Sequence, residues 1–216
     1  MQRILIHGRS RSGTTITREI LNRHPDIQIY NEELIYARTN DVNEIIKKEK
    51  KFYDNKSKFF GDKFGTPSIR QFKVNKSLNI KYIYIYRDGR DSVASGFRKN
   101  LGPNDKKIWR SKNLKLNSKD WADHYFRWEE AKRNIISDGY WCEIRFEDYI
   151  DNPSKNMHII SEFLGIDHKE LVKFENQLIN EDSSHKGYYS QLIPNWEKEF
   201  HPDAIEVLKI LGYMER

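Results

Sequence analysis

Short apolar runs alternate along the chain with polar loops and with stretches of helical periodicity. Residues 4–6 and 82–86 have the composition of buried strands, because β-branched and aromatic side chains predominate in both. Further strands are predicted at residues 27–30, 58–64 and 140–146. Strands that alternate with helices are typical of α/β proteins, so the pattern predicts an α/β fold.

The clearest helical pattern follows a polar stretch in the second half of the chain. Residues 101–117 are polar and only weakly periodic, which predicts an exposed loop, and Ser118 is a suitable N-cap for a long helix after it. The apolar stripe of that helix contains Trp121, Tyr125, Trp128 and Ile135, which we interpret as a core face and not as a cofactor site. A last helix is predicted at residues 202–211.

The loop after the first strand has the features of an anion-binding site. Gly8 and Gly13 have the spacing of the nucleotide-binding P-loop, but Thr14 stands where that motif has lysine. Arg11 instead supplies a cation, and the hydroxyls of Thr14 and Thr15 can donate to phosphate or sulfate oxygens. A glycine-rich turn without a ligand is the alternative. We favour phosphate binding, because backbone N–H groups at the start of the next helix attract anions.

A second strand-to-helix corner has similar chemistry. Arg87 ends the strand at 82–86, and a helix that begins near Arg90 presents Ser92, Ser95 and Lys99 on one face. One cation and several hydroxyls near a helix N-terminus form a second candidate anion site. The alternative is a turn whose charges pair among themselves.

Two acidic residues follow the second predicted strand. The strand at 27–30 delivers Glu32 and Glu33 to its carboxyl end, the edge at which open α/β sheets bind ligands. If the site uses a proton acceptor, we favour Glu32 for that role, and the alternative is a surface carboxylate that pairs with a lysine. His7 and His24 are rival bases; we interpret His7 as a buried structural histidine and His24 as a cap of a helix end.

Composition restricts the remaining possibilities. The 216 residues predict a single domain over 1–216, and a net charge of +6 suits an anionic ligand. Cys142 is the only cysteine, so no intrachain disulfide forms, and the sequence shows no cluster of metal ligands. We expect no signal peptide, because residues 3–7 are predicted to form the first strand, and no stretch of the sequence is long and apolar enough to span a membrane. We therefore expect a soluble, cytoplasmic protein.

Taken together, these motifs resemble those of the sulfotransferases that use 3′-phosphoadenosine 5′-phosphosulfate (PAPS). Residues 11–15 resemble the family's 5′-phosphosulfate loop, in the arginine-containing form of the protein-tyrosine and bacterial branches. Residues 87–91 with Ser95 resemble its 3′-phosphate motif, and weaker matches at 24–26 and 145–149 extend the resemblance over most of the chain. The resemblance implies a P-loop-like three-layer fold, with a central, mainly parallel sheet flanked by helices. It also implies transfer of a sulfuryl group to an acceptor hydroxyl and release of 3′-phosphoadenosine 5′-phosphate (PAP), without a metal.

The resemblance also assigns roles to individual residues. It implies that the 5′-phosphosulfate is bound by Arg11, Ser12, Gly13, Thr14 and Thr15. It implies that the 3′-phosphate is bound by Arg87 and Ser95, and that a loop with Lys186 and Gly187 closes over the donor.

For catalysis, the resemblance implies that Glu32 is the general base, with Glu33 as the fallback, and that Lys63 contacts the sulfuryl group alongside Arg11. Phe146 departs from the pattern, since cytosolic members often have a tyrosine there.

Two other functions remain open at this point. A degenerate P-loop kinase or NTPase would need a carboxylate for Mg²⁺, for which Asp88 is the candidate. A basic module that binds polyanions is less favoured, because the arginines lie in strand-to-helix turns and not along one stripe. We expect no nucleic-acid or membrane partner. The acceptor, whether a glycan, a tyrosyl peptide, a lipid or a small molecule, and the oligomeric state are not determined by the sequence.

Overall fold

Five parallel strands form the centre of the protein in a computed structural model, which describes residues 1–33, 36, 38–53, 56–100, 108–172, 187 and 189–215, with the backbone alone at 97–100, 108–113 and 172. The strands are β1 (Gln2–His7), β2 (Ile27–Asn31), β3 (Phe59–Phe64), β4 (Ile80–Tyr86) and β5 (Trp141–Arg145). Their order across the sheet is β2-β3-β1-β4-β5, and every neighbouring pair is parallel.

Helices connect the strands and cover the sheet. The first six are α1 (Thr14–Leu21), α2 (Val42–Phe52), α3 (Ile69–Lys76), α4 (Gly89–Asn100), α5 (Ile108–Asn134) and α6 (Phe146–Asp151). The others in the described part are α7 (Pro153–Leu164), α8 (Lys169–Val172), α9 (Tyr189–Leu192), α10 (Trp196–Glu199) and α11 (Pro202–Ile210). Within the described ranges, no helix is both long and apolar enough to cross a membrane.

Successive residues of the central strands enter two cores, one on each face of the sheet. Ile4 and Ile83 pack with α1, α6 and α7, whereas Leu5 and Tyr82 pack with α3 and α5, and Trp128 is completely buried in this second core. This alternation follows from the two-residue period of a strand, and burial on both faces explains why the strands are almost continuously apolar. The predicted three-layer α/β fold with a parallel sheet is confirmed.

Two features of the helices differ from the sequence prediction. Helix α3 was not predicted; Ser68 begins it with a capping box, in which the Ser68 side chain accepts from the Gln71 backbone and the Gln71 side chain accepts from the Ser68 backbone. Helix α5 begins at Ile108, so the predicted loop is wrong for residues 108–117. Ser118 is therefore not an N-cap: its hydroxyl donates to the Lys115 carbonyl over 3.0 Å and accepts from the His201 backbone N–H over 2.9 Å.

The strand order fixes where a ligand can bind. β1 lies between β3 and β4, and the chain passes to opposite sides of β1 in the two halves of the sheet. A reversal of this kind opens a crevice at the carboxyl ends of the strands. The loop after β1 and the ends of β3 and β4 therefore meet at one edge, which carries the candidate site.

Candidate active site

Two glycines hold the loop between β1 and α1 against its neighbours. A Cβ atom on Gly8 would lie 2.2 Å from the carbonyl oxygen of Ile85, so β4 leaves no space for a side chain there. Gly13 precedes α1 with a φ of 96°, and a Cβ atom on it would lie 2.3 Å from the Phe146 ring. The first turn of α1, which is fully described, contains no acidic residue, so its backbone N–H groups face no competing carboxylate from their own helix.

Arg11 connects this loop to the second predicted anion site. Its Nε donates to the Ser95 hydroxyl on α4 over 2.9 Å, and Arg87 Nη1 donates to the Arg11 carbonyl oxygen over 3.3 Å. The Arg11 backbone is in the left-handed region, with a φ of 73°. The Arg87 guanidinium also lies 4.5 Å from the centre of the Phe146 ring. The two corners that the sequence suggested are therefore adjacent.

A small pocket of about 70 Å³ opens between the two corners. It is lined by Arg11, Gly13, Thr14, Thr15, Ile16 and Arg87. These side chains bring two guanidinium groups and two hydroxyls to the start of α1, with no carboxylate among the lining residues. Ser12 is buried beside the pocket and donates its backbone N–H to the Arg9 carbonyl over 3.2 Å. The arrangement suits an anion with several oxygens.

Arg9 connects the loop between β1 and α1 to helices α4 and α5, a role that the sequence did not predict. It is buried and donates to Asp120 over 3.2 Å, to the Ser92 hydroxyl over 3.2 Å and to Asn117 over 3.1 Å. Burial lowers the pKa of Arg9, and Asp120 opposes that effect. Of the two loop arginines, Arg9 is thus committed to α4 and α5, and Arg11 lines the pocket. Nothing in the sequence distinguishes them, because both lie within the same glycine-bounded loop.

The predicted base and the predicted sulfuryl lysine are in contact. Asn31 on β2 lies opposite Lys63 on β3, which brings the next residue, Glu32, alongside that lysine. Lys63 Nζ lies 3.2 Å from Glu32 Oε1, and Arg38 Nη2 lies 3.1 Å from Glu32 Oε2. The Lys63 side chain is 11% exposed and that of Glu32 is 44% exposed. Glu32 therefore pairs with a lysine, as the alternative of a surface carboxylate requires. That lysine is Lys63, which itself has a predicted catalytic role.

A buried carboxylate, Asp62, holds the ends of these two strands together. One of its oxygens accepts backbone N–H groups from Glu32 over 2.7 Å, from Lys63 over 2.9 Å and from Glu33 over 3.4 Å. Glu32 takes a left-handed backbone conformation at this point, with a φ of 67°. Sequence reasoning missed Asp62, although an acidic residue inside an apolar strand is itself a signal, since a buried carboxylate needs partners.

The C-terminal segment reaches α4 through Asp91. Its carboxylate accepts the backbone N–H of Gly187 over 2.7 Å and that of Tyr189 over 3.1 Å. Burial raises the pKa of Asp91, and these two N–H groups oppose the rise. The Arg90 guanidinium lies 4.3 Å from the centre of the Tyr189 ring. Gly187 is thus close to the second anion corner, whereas Lys186 lies outside the described residues.

Asp88, the carboxylate that the kinase alternative requires, already has a partner. It forms an ion pair of 2.6 Å with Arg90, and its backbone N–H donates to Glu147 over 2.9 Å. In the described ranges, no group of three or more histidines, cysteines and acidic residues is arranged to hold a metal ion.

The two rival histidines have structural contacts. His7 is completely buried, with its ring centre 4.7 Å from that of Trp128 and its Nδ1 3.4 Å from the Thr66 hydroxyl. Burial lowers the pKa of His7 well below its usual value. The His24 side chain accepts the backbone N–H of Asp26 over 3.1 Å and so stabilises the turn before β2, while its own backbone N–H donates to the carbonyl of Leu21 at the end of α1 over 3.0 Å.

A family model described as a sulfotransferase domain matches residues 1–210. No curated protein sequence that was compared with the chain matches it.

Among solved structures, the chain is similar to the sulfotransferase domain of the Synechococcus PCC 7002 olefin synthase, with 16% identity, a TM-score of 0.63 and coverage of 100% of this chain and 96% of the other. A mouse sulfotransferase in complex with PAP has 21% identity and a TM-score of 0.61, with coverage of 97% and 81%. A retinol dehydratase in complex with androsterone and inactive cofactor PAP has 14% identity and a TM-score of 0.53, with coverage of 99% and 80%. Because these sequence identities are all below 25%, the structural similarity supports the fold alone.

Proposed function

Since the chain belongs to the sulfotransferase domain family, we propose that this sulfotransferase uses PAPS as its donor, transfers the sulfuryl group to an acceptor hydroxyl and releases PAP. One observation carries the choice of donor: Arg11, from the first anion corner, bonds to Ser95 of the second, and Arg87 bonds back to Arg11. A donor that carries phosphate groups on both the 5′ and the 3′ oxygen of one ribose needs two such corners side by side.

The chemistry of the pocket supports an anionic donor. Its lining combines two arginines with the hydroxyls of Thr14 and Thr15 at the N-terminus of α1. Guanidinium groups bind phosphate and sulfate oxygens in pairs, and the free N–H groups of the first helical turn add to their attraction. In our proposal, Arg11, Ser12, Gly13, Thr14 and Thr15 bind the 5′-phosphosulfate, and Arg87 and Ser95 bind the 3′-phosphate. Gly187, held on α4 by Asp91, belongs to the segment proposed to cover the donor, together with Lys186.

Glu32 and Lys63 supply the proposed chemistry at the end of β3. A bond forms between the acceptor oxygen and sulfur while the bond between sulfur and the phosphate oxygen of the donor breaks. Glu32 accepts the proton that the acceptor hydroxyl loses, an effect of about 10²- to 10⁴-fold on rate. Lys63, with Arg11, stabilises the negative charge that grows on the leaving oxygen, as preorganised cations do in phosphoryl transfer.

The ion pair between Glu32 and Lys63 suits this division of roles. The Lys63 side chain is almost buried and that of Glu32 is 44% exposed, so Glu32 is the more accessible of the two groups, although Lys63 and Arg38 contact its two oxygens. The pairing holds Lys63 Nζ 3.2 Å from Glu32 Oε1. Folding therefore already orients the two side chains, so the loss of conformational entropy on positioning them does not add to the barrier of the reaction.

The acceptor is proposed as a hydroxyl compound without further restriction. Androsterone, found in complex with the retinol dehydratase neighbour, is an alcohol, which supports this class but not one member of it. Glycans, tyrosyl peptides, lipids and small alcohols or phenols all carry the required group.

The proposal is tested by incubating the purified protein with radiolabelled PAPS and a panel of acceptors that contains each of these four classes. We expect label on at least one acceptor, dependence on Arg11 and Arg87, and activity in the presence of a chelator. Thermal stabilisation by PAP without metal, but not by ATP with Mg²⁺, is expected in the same preparation. Absence of stabilisation by PAP at millimolar concentration would contradict the choice of donor.

A further inference from the structure

Tyr213 connects the segment after the last helix to the corner that carries Arg87. Helix α11 ends in a Schellman motif, in which the Gly212 N–H donates to the Lys209 carbonyl over 3.2 Å. In the same motif, the Tyr213 N–H donates to the Leu208 carbonyl over 2.8 Å. Gly212 has a φ of 72°, a left-handed value that glycine adopts without strain. This turn ends the helix and brings Tyr213 to β5 and to the start of α4.

The Tyr213 hydroxyl lies between two side chains of opposite charge. It donates to Glu147 Oε2 over 2.7 Å and accepts from Arg145 Nε over 3.2 Å. The Arg145 guanidinium also lies 4.3 Å from the centre of the Tyr213 ring. Burial raises the pKa of Tyr213, and Glu147 raises it further, so the hydroxyl keeps its proton at neutral pH and donates. One oxygen of Glu147 is therefore fixed by Tyr213.

The other oxygen of Glu147 holds the main chain next to Arg87. Glu147 is buried, and its Oε1 accepts the backbone N–H of Asp88 over 2.9 Å. A buried carboxylate is stable only when its oxygens have hydrogen-bond partners, and here the partners come from two distant parts of the chain. Tyr213 and the main chain of Asp88 are thus joined through one side chain.

A second set of contacts joins Tyr213 to the same corner through Arg90. The Tyr213 carbonyl accepts from Arg90 Nη2 over 2.9 Å, and Arg90 forms an ion pair of 2.6 Å with the Asp88 carboxylate. Asp88 Oδ1 also accepts the backbone N–H of Arg90 over 2.9 Å, in the first turn of α4. The main chain and the side chain of Asp88 are therefore both connected to Tyr213, by separate hydrogen bonds.

These contacts affect the candidate active site because Asp88 directly follows Arg87 in the chain. Arg87 lines the anion pocket, and its Nη1 donates to the Arg11 carbonyl over 3.3 Å. A shift of the main chain at Asp88 moves the Arg87 backbone and with it the guanidinium. Hydrogen bonds weaken steeply as their distance and angle depart from the optimum, so such a shift weakens the binding of an anion by Arg87.

We propose that Tyr213 is a positioning residue for Arg87. By holding both the main chain and the carboxylate of Asp88, it fixes the Arg87 guanidinium at the distance from the loop after β1 that a 3′-phosphate requires. The proposal rests on the proposed use of PAPS for the identity of the anion, whereas the restraint on the corner is independent of the donor.

The first experiment compares PAP with adenosine 5′-phosphate, which lacks the 3′-phosphate. The ratio of their dissociation constants, measured by isothermal titration calorimetry, gives the contribution of the 3′-phosphate. Tyr213→Phe keeps the ring and removes a hydrogen bond to a charged group, so the ratio should fall about tenfold while the affinity for adenosine 5′-phosphate stays the same. Tyr53→Phe, which removes a hydroxyl that donates to the Ser57 carbonyl over 3.0 Å, is the matched control. A purely structural role would lower the melting temperature and leave the ratio unchanged.

A double-mutant cycle tests whether Tyr213 acts through Arg87. In the Arg87→Ala background, Tyr213→Phe should leave the affinity for PAP unchanged, because the group that it positions is absent. Losses that add in the double variant would overturn the proposal. The comparison of the two nucleotides with Tyr213→Phe needs no Arg87 variant, so it stands even if Arg87→Ala prevents folding.

Hydrogen exchange measured by NMR tests the restraint without any nucleotide. In Tyr213→Phe the Asp88 amide should exchange about tenfold faster, since Glu147 loses the hydroxyl that fixes it, whereas the Ile83 amide in β4 should be unaffected. An unchanged Asp88 exchange rate would overturn the proposal, and so would an unchanged ratio of the two dissociation constants. If the wild type binds neither nucleotide, the proposed donor is wrong, and the exchange rates still decide whether Tyr213 restrains this corner.

Discussion

Arg87 donates a hydrogen bond to the main-chain carbonyl of Arg11 over 3.3 Å, and so binds the end of β4 to the loop after β1. The two arginines occupy strand-to-helix corners that are 76 residues apart in the sequence. A fold that placed them on different faces of the molecule could not bind one nucleotide through both. Their contact is therefore the relationship on which the proposed donor site depends.

The first prediction concerns the affinity for PAP. Arg11→Ala and Arg87→Ala each remove charge-assisted hydrogen bonds, which contribute about 1.5–3 kcal/mol, so PAP should bind about 10- to 100-fold more weakly. Isothermal titration calorimetry without metal measures the change. Arg133→Ala is the matched control, because the Arg133 side chain is 77% exposed at the end of α5. Equal affinities for the Arg11 variant and the control would remove Arg11 from the donor site.

The second prediction concerns the proton acceptor. Glu32→Gln keeps the shape of the side chain and removes its basicity, so the turnover number should fall by about 10²- to 10⁴-fold while the affinity for PAP stays nearly unchanged. Steady-state kinetics with an accepted hydroxyl compound gives the turnover number. Glu33→Gln is the internal comparison, since Glu33 follows directly and its backbone N–H reaches the same carboxylate of Asp62. A large loss in the Glu33 variant alone would transfer the role to Glu33.

The third prediction concerns Lys63. Lys63→Met keeps most of the apolar stem and removes the charge, which breaks the 3.2 Å contact with Glu32. The rate of sulfuryl transfer should decrease by about 10²-fold or more, as when one preorganised donor is removed from a transition-state site. Rapid-quench measurement of a single turnover checks the chemical step directly. Lys58→Met is a suitable control, because Lys58 carries a charge just before the same strand and pairs with Asp26 over 2.6 Å. Single-turnover rates that match in the two variants would exclude Lys63 from the chemistry.

The fourth prediction concerns Asp91. Asp91→Ala leaves the N–H groups of Gly187 and Tyr189 without their acceptor, so the free energy of unfolding should decrease by about 1–3 kcal/mol. Urea denaturation measures this change. If the segment at Gly187 covers the donor, PAP should also bind more weakly. Asp138→Ala, in an exposed turn, serves as the control. A stability loss with unchanged PAP affinity would assign Asp91 to the fold and not to the donor site.

The fifth prediction concerns acid stability. Burial lowers the pKa of His124 from 6.5 to about 4, and Asp120 opposes that effect. Below about pH 6.5 the unfolded chain binds a proton that the folded protein takes up only near pH 4. The free energy of unfolding should therefore decrease as the pH falls through this range, by about 3 kcal/mol from this group at most.

Chemical denaturation at pH values from 7 to 4 measures that decrease. His124→Gln should give a flatter profile, because glutamine does not titrate. His158→Gln is the control, since the His158 side chain is 52% exposed. Superimposable profiles for the wild type and the His124 variant would contradict the prediction.

Much of the central sheet was predictable because its strands are buried on both faces. Continuous apolar composition marked β1 and β4, and it needs only the local sequence to be recognised. The start of α5 was not predictable in the same way. Residues 108–117 lack a clear apolar stripe. Ser118 is a residue type that often caps helices, but its hydroxyl accepts the backbone N–H of His201, which is 83 residues away in the sequence. A tertiary hydrogen bond of this kind overrides the local preference of serine for the start of a helix.

At the site, the sequence identified the side chains but not their partners. Arg11 and Arg87 were recognisable as cations at strand-to-helix corners, whereas the difference between Arg9 and Arg11 depends on which one α4 and α5 surround. The role of Asp62 likewise depends on tertiary structure, because it follows from the register between β2 and β3. Chemistry can be inferred from residue types, but tertiary packing decides which of two like residues is available.

The single carboxylate of Asp62 makes the proposed base and the proposed sulfuryl lysine one mechanical unit. One Asp62 oxygen accepts the main-chain N–H groups of both Glu32, just after β2, and Lys63, on β3, so these hydrogen bonds oppose sliding of β2 relative to β3. The spacing between the proposed proton acceptor and its cation therefore depends on a buried carboxylate as well as on their own ion pair.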